Sequence, residues 1–529
     1  MKRKTIIIGG GISGLYMAYN LIQRGNQDII LLERSSILGG RIKTDELDGF
    51  PVELGAARFS NKHKNLLSLL KRLQLNDKKI KLSKDIDFYY KNKKIKYNLQ
   101  KYIRKLNSEK KKYTKDYLEK INLLQYAREI FGPIEGEKLK DMYGYDAEFL
   151  KLNAYSALLM FQQDLLKDVD YYILNGGLSQ IIHLLEKYLS DKIQIIKDSN
   201  VIDIQNNKVT TDTKVYKCSK IIVAIPLLDI QRFNIFDEFH LFNSVQNIPL
   251  IRIYAKYPKD ANGKVWFHNI KRTITDNFIR HIIPIDYENG IIMISYTDYY
   301  NAEMWNNLYL LGEDTLTKKI QGEIQRLFKI KIPKPIEYKV YFWKSGVHMW
   351  KTNHPMNQIY KKIMKPFTDK EIYISNESFC KHQCWIEGSL KMVKDVIHQM
   401  NKKKKTKNQR GGKKKTKRNL TIQNKKHLPK YTIQEVLKHN NWIIFEMKNK
   451  HGIYKISSSW FKNHPGGGGN LKLGVKANSF YDKTNPNKSE KSPLQLFKSI
   501  GAHNSRNVLK EYIMNEKYPK IIQLIGSLK

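Results

Sequence analysis

Acidic side chains are scarce in this chain. Fifty Asp and Glu stand against 94 Lys and Arg over 529 residues, leaving a formal charge of +44. That excess is compatible with nucleic acid or an anionic surface as a partner. Lys, Asn, Ile and Tyr are abundant together, however, a bias expected of a very AT-rich genome such as that of a large DNA virus or a protist. Cysteine is rarer still. Cys218, Cys380 and Cys384 cannot build a disulfide framework, which points to a reducing, intracellular setting. Long apolar runs are missing too: no stretch reaches the roughly 18–20 residues that cross a bilayer. The N-terminal MKRKTIII reads as a buried strand feeding a glycine turn, not as a signal peptide. With the chain stopping at Lys529, no tail anchor is expected. The expectation is a soluble, cytoplasmic protein, with a viral or virion origin open.

One break in composition divides the chain. From Lys402 to Lys426 there are thirteen basic residues and no acidic ones. Such a segment cannot bury enough apolar surface to offset its ordering entropy, so residues 399–429 are expected to be a flexible linker. It is a plain spacer or a nucleic-acid-binding tether. On either side lie units of 1–398 and 430–529.

The larger unit opens strand–turn–helix. Thr5–Ile8 is a short apolar run, Ser13–Gln23 has helical spacing, and Asp28–Leu32 is the next strand. Between them Gly9, Gly11 and Gly14 have the spacing of a phosphate-binding turn. Gly9 serves the tight turn, Gly11 the approach of a pyrophosphate, and Gly14 the packing of helix on strand. Ser13 lies in the first helical turn, whose amides face the phosphates. Glu33, nineteen residues beyond Gly14, is placed for ribose hydroxyls, with Arg34 beside it. These features define a dinucleotide site without separating NAD from FAD. The mixture of helices at 101–166 with strands at 192–223 and 250–345 predicts an α/β fold. A Rossmann-like cofactor domain would carry an inserted α+β substrate domain.

Further motifs narrow the choice. Leu38-Gly39-Gly40-Arg41, Val52-Glu53-Leu54-Gly55-Ala56-Ala57-Arg58, Asn175-Gly176-Gly177, Val201-Ile202-Asp203-Ile204, Val223-Ala224-Ile225-Pro226, Asn376-Glu377-Ser378 and Trp385-Ile386-Glu387-Gly388 follow one another in order. Together they resemble the flavin-containing amine oxidase superfamily. The resemblance implies FAD, with Gly40, Arg41 and Ala57 near it, Glu377 at its ribityl chain and Val201 holding the adenine through its backbone. Trp385 would stand near the isoalloxazine. Arg58 is similar to the arginine that grips the substrate carboxylate in L-amino-acid oxidases, or else serves FAD and local backbone. Arg252 occupies the place of a lysine that many members keep near flavin N5, and it cannot act as a base at neutral pH. Val347 replaces the flavin-linked cysteine of monoamine oxidases, implying non-covalent FAD. His348 would then flank the substrate amine opposite Trp385. The implied reaction is hydride transfer from an amine or amino acid to flavin, with oxygen or a redox partner as acceptor.

In the smaller unit, Trp460-Phe461-Lys462-Asn463-His464-Pro465-Gly466-Gly467 and Ser499-Ile500-Gly501-Ala502-His503 resemble the two haem-clasping corners of the cytochrome b5 family. That resemblance implies a small α+β domain with haem b between His464 and His503 and one-electron transfer with the flavin. The insertion around 471–492 makes the histidine spacing longer than usual. Two alternatives of other kinds are a desaturase-like flavoprotein acting on a lipid or isoprenoid, and a non-catalytic basic redox or nucleic-acid-binding protein. Cys380 and Cys384, with His382 between them, lack a second ligand pair at zinc-site spacing.

Overall fold

The computed structural model describes residues 4–166 and 168–408, together with four strands farther along the chain. Two compact units are resolved, Met1–Gly411 and Gly412–Lys529.

The first unit is organised around five parallel strands. In order across the sheet they are Gln194–Ile196, Ile29–Leu32 (β2), Thr5–Ile8 (β1), Lys220–Val223 and Ile372–Ile374. β1 and β2 are short, uniformly apolar and wholly buried, as expected of parallel strands covered on both faces. The helix α1, Ile12–Ile22, follows β1 and packs against the helices Ser179–Leu189 and Ile386–Asn408. Nine of its eleven residues are buried, so it is an internal helix rather than an amphipathic surface one.

A second sheet has seven strands in the order Glu337–Trp350, Val245–Lys256, Ile291–Asp298, His281–Asp286, Thr273–Thr275, Asp87–Tyr90 and Lys93–Ile95. Its pairs are antiparallel except Thr273–Thr275 with Asp87–Tyr90. The period-2 alternation of strand side chains sorts this sheet into two faces. Ile251, Ile253, Ile292 and Ile294 pack with Trp305, Leu316, Ile320 and Ile324 of the helices Tyr299–Leu310 and Glu313–Phe328. Arg252, Tyr254, Met293, Tyr341 and Trp343 line a cavity on the opposite face. Ile294 is an extra residue: Ser295 pairs with Ile253 and Met293 with Tyr254, so the register shifts there. This bulge brings Tyr296 onto the cavity face alongside Met293. Between the sheets in sequence, helices from Leu99–Glu109 to Ala154–Asp164 carry Glu148 and Asp164, and Tyr145 lies in the turn before the helix Asp146–Leu150.

The α/β reading of the first unit agrees with this architecture. The last helix differs from the expected 386–399, because Ile386–Asn408 continues through Lys402–Lys405. Lysine is a good helix former and nothing breaks the run before Gly411-Gly412. The expected flexible linker therefore begins inside a helix.

In the second unit the described strands form one sheet, in the order Lys430–Tyr431, Ile522–Leu528, Lys450–Ile456 and Trp442–Met447. Trp442–Met447 and Lys450–Ile456 pair antiparallel. His464 and His503 lie outside the described residues, as does most of the basic run.

Candidate functional site

A single cavity of about 1900 Å³ runs from the glycine turn to the second sheet. Its volume exceeds the ~300–1,000 Å³ of an ordinary small-molecule pocket, leaving space for a dinucleotide and a second molecule.

The three glycines of the turn are required for different reasons. A Cβ on Gly14 would lie 1.9 Å from the Gly9 carbonyl oxygen, so the helix could not approach the strand. Gly9 has φ +104°, and a Cβ there would meet Ile225 at 2.7 Å. Gly11 is under no such constraint. A Cβ there would meet only the Gly39 oxygen, at 3.9 Å, and one on Gly40 would meet only the Gly11 Cα, at 3.5 Å. Gly11 and Gly40 thus keep open a cradle that the fold itself leaves unfilled, which fits a bound pyrophosphate. α1 starts at this cradle without a side-chain cap or an acid in its first turn, leaving Ser13 and its neighbours to present amides to an anion.

Glu33 stands at the same end. It accepts hydrogen bonds from the Gly10 and Ser35 amides at 2.7 and 2.9 Å, which fixes the carboxylate at the cavity wall. Arg34 also lines the cavity but is largely exposed and paired with Asp229 at 2.8 Å. Gly40, Arg41, Ala57, Val201, Glu377 and Trp385 are lining residues as well.

Arg41 donates to Glu377 at 2.7 Å and to the Gly346 carbonyl at 2.9 Å. Glu377 also accepts from the Cys384 amide at 2.9 Å and from His348 Nδ1 at 2.7 Å. Burial alone would raise the Glu377 carboxyl, but Arg41 and His348 hold it well below the usual carboxylate range. Burial lowers His348, outweighing the Glu377 charge, so its imidazole is neutral and Nδ1–H donates.

His348 is not where the sequence reading placed it. Its ring is fully buried, with Nε2 3.2 Å from the Ser378 hydroxyl, while Val347 and Met349 line the cavity. Strand alternation explains the correction: with Val347 and Met349 facing the cavity, residue 348 points the other way. His348 bonds Glu377 and is not among the cavity-lining residues.

The far end of the cavity is aromatic and cationic. Trp385 stacks on Tyr171 with centroids 5.9 Å apart. The Arg58 guanidinium lies 5.2 Å from the Tyr171 ring and 5.9 Å from that of Trp385, and donates to the Tyr145 hydroxyl at 3.2 Å. No carboxylate among the described residues pairs with it. Arg252 is anchored, donating to the Glu53 carbonyl at 2.8 Å and the Tyr254 hydroxyl at 3.3 Å, with its guanidinium 4.5 Å over Tyr296. Arg58 and Arg252 therefore differ: one is available to a ligand and the other is tied to the backbone.

Sequence reasoning missed Tyr145, Glu148, Arg272, Tyr296 and Asp298, all of which line this end. They are scattered over about 150 positions with no local motif to mark them. Burial pushes the Glu148 carboxyl up to about 8, against the opposing pull of the Tyr143 hydroxyl and Arg58. Burial and the nearby Asp146 push Asp298 up to about 7, although two backbone amides favour its charged form.

Behind Trp385 lies a buried group of His63, Asp164 and His382. His63 Nε2 and His382 Nε2 lie 3.2 and 2.6 Å from the two oxygens of Asp164. The Ser60 amide donates to His63 Nδ1 at 3.2 Å, so the ring proton sits on Nε2. With that nitrogen a donor to Asp164, it has no lone pair for a metal. The group is a hydrogen-bonded brace against which the Trp385 ring packs, 4.8 Å from His63. Cys380 and Cys384 are free thiols.

A glycine cradle, a fixed acid and a long cavity ending in aromatic and arginine side chains define a dinucleotide-binding protein with room for a second ligand. Comparison with known proteins narrows this class. The family described as flavin containing amine oxidoreductase matches residues 12–391, and the chain belongs to it. An L-amino-acid oxidase of Sistrurus catenatus edwardsii is 25% identical over 241 residues, 39% of this chain and 45% of that protein. A coproporphyrinogen III oxidase of Mycobacterium bovis is 39% identical over 80 residues, 15% of this chain and 18% of that protein. The chain is thus matched over less than half the length of either relative. A crystal structure from Exiguobacterium sp. 255-15, provisionally named a protoporphyrinogen oxidase, shares the fold. Its TM-score is 0.59 at 14% identity, over 76% of this chain and 99% of that one.

Proposed function

We propose that residues 1–398 form an FAD-dependent oxidase of amines or amino acids, with the cofactor held non-covalently. The observation that carries this reading is Arg58, a cation with no carboxylate partner among the described residues, in the same cavity as the glycine cradle. When bound, FAD supplies a two-electron acceptor for a substrate hydride. The chain supplies the rest. Gly11, Gly40 and the start of α1 receive the pyrophosphate, and Arg41, held by Glu377, stands at the cavity wall. Arg58 offers a planar, bidentate grip on a carboxylate. Tyr145, Tyr171, Tyr296 and Trp385 enclose it and limit water. Arg252 stays cationic: burial opposes its charge, and Tyr254 and Tyr296 more than restore it. It therefore takes no proton, and Glu148 and Asp298, raised by burial to about 8 and about 7, are the titrating groups at this end.

The test is an anaerobic absorbance titration of the FAD-loaded protein with amino acids and polyamines. Bleaching by an amino acid supports the reading, and an unchanged flavin spectrum across the panel overturns it. Oxygen or a redox protein would then reoxidise the flavin. A second reading is favoured by the large cavity and the short match to a coproporphyrinogen III oxidase: a carboxylated tetrapyrrole as substrate.

For residues 430–529 we propose a cytochrome b5-like domain binding haem b through His464 and His503. It rests on the His-Pro-Gly-Gly segment, the later histidine and the two paired strands that precede them. A haem-free absorbance spectrum after reconstitution of the full chain with haemin would refute it. A nucleic-acid role for the basic run would show as steeply salt-dependent binding of DNA to the full chain.

A further inference from the structure

Arg272 is a further cation at the far end of the cavity, besides Arg58 and Arg252, immediately before the strand Thr273–Thr275. Among the described residues its guanidinium has no ion pair and no hydrogen-bond partner, and its Nε is a buried donor left unsatisfied. Its neighbour Lys271 also lines the cavity and reaches Asp85 only at 3.7 Å across an exposed surface. Arg58 contributes the other cation, with a tyrosine hydroxyl as its one polar partner.

Both arginines line the same cavity. Burial, then the charge of Arg58, pull Arg272 down to about 10, which leaves it protonated at neutral pH. The acids at this end do not compensate. Glu148 titrates near 8 and holds its proton at pH 7, and the Asp298 carboxylate is already engaged by the Asp146 and Ala147 amides at 3.0 and 3.1 Å. His281 is kept neutral by its burial and by the adjacent arginines. An uncompensated pair of half-buried cations is destabilising in the free protein. Such an arrangement is explained when a ligand brings the missing negative charge.

We infer that Arg58 and Arg272 bind two separate carboxylates of one substrate, so that the enzyme is selective for dicarboxylate molecules. This deepens the reading of the cavity as the substrate site. Arg58 takes the carboxylate nearer Trp385, and Arg272, with Lys271 beyond it, takes the second at the start of the strand Thr273–Thr275. A guanidinium for each carboxylate satisfies the Arg272 donors and relieves the repulsion between the two cations. Acidic amino acids and carboxylated tetrapyrroles share this chemistry.

The experiment uses non-oxidisable acids, so that it does not depend on turnover. Glutarate and butyrate are titrated into the FAD-loaded full-length protein, with the flavin spectrum and thermal melting as readouts. Glutarate is expected to bind at least about tenfold more tightly than butyrate, the factor of one added charge-assisted contact. Arg272→Gln should cut glutarate affinity about tenfold and butyrate affinity less than threefold, with Arg272→Lys between. Melting curves of both variants establish folding. Equal affinities for the two acids, or a preference that survives Arg272→Gln, overturn the inference. Glutamate and coproporphyrin III, compared in the same assay, distinguish the two sources of paired carboxylates. Arg272-dependent glutarate binding without bleaching by any amine would sustain the inference and overturn the amine-oxidase reading.

Discussion

The two ends of the cavity are built on opposite principles. At the dinucleotide end the polar groups are already partnered: Glu33 by two amides, Arg41 by Glu377, Glu377 by His348. At the far end Arg252 and Asp298 are partnered, but others are not: among the described residues Arg58 has one weak partner, Arg272 has none, and one Glu148 oxygen is buried without a hydrogen bond. The first end is a scaffold that contributes stability of its own, and the second holds its donors in reserve for a ligand. Substitutions should therefore cost stability at one end and binding at the other.

The largest effect is expected at Glu377. Glu377→Gln leaves Arg41 short of its counter-charge and should cost about 3 kcal/mol in denaturant unfolding, as for other breaks of largely buried ion pairs. Next come the glycines, which divide the scaffold from the cradle. Gly14→Ala forces the helix off the strand and should cost about 1–3 kcal/mol. Gly11→Ala should change apoprotein stability by less than about 0.5 kcal/mol while FAD content after purification falls sharply. Equal losses of stability in the two variants would break the comparison.

At the far end, Arg58→Gln should leave melting unchanged or slightly raised, because it removes an uncompensated charge. The half-saturating concentration of an amino-acid substrate should rise at least about tenfold. The last expectation is a pH slope. Glu148, Asp298 and Glu53 all have folded-state values raised by burial, to about 8, 7 and 7. Stability from such groups is complete below their unfolded values near 4 and is lost as pH rises through the folded ones. Melting temperature should therefore fall between pH 5 and 9, and Glu148→Gln should flatten the part of that slope nearest pH 8.

The same division explains what could be read from the sequence. The dinucleotide end is encoded locally. Gly9, Gly11, Gly14, Glu33 and Arg41 fall within a few dozen residues, and their spacing follows from one strand, one turn and one helix. Thr5–Ile8 was legible because a short apolar run before glycines has few other uses. The far end is assembled from side chains contributed by helices and by several strands, so Arg272 and Glu148 carry no signature near them. Arg252 was found only through its resemblance to a family position. His348 was misplaced because the resemblance supplied its position but not the parity of its strand. The parity was available, since Val347 and His348 cannot share a face. The helix Ile386–Asn408 overran its expected end because high charge was read as disorder, although lysine favours helix when no glycine intervenes.

The bulge at Ile294 gives the substrate wall a reading frame. One surplus residue changes which of its neighbours count as lining and which as core, and Tyr296 faces the cavity only because of it. A gain or loss of one residue in this strand would rewrite the chemistry of the wall in a single step. The glycine cradle lies on a different sheet and would keep its own frame, so this architecture lets substrate preference drift while cofactor recognition stays fixed.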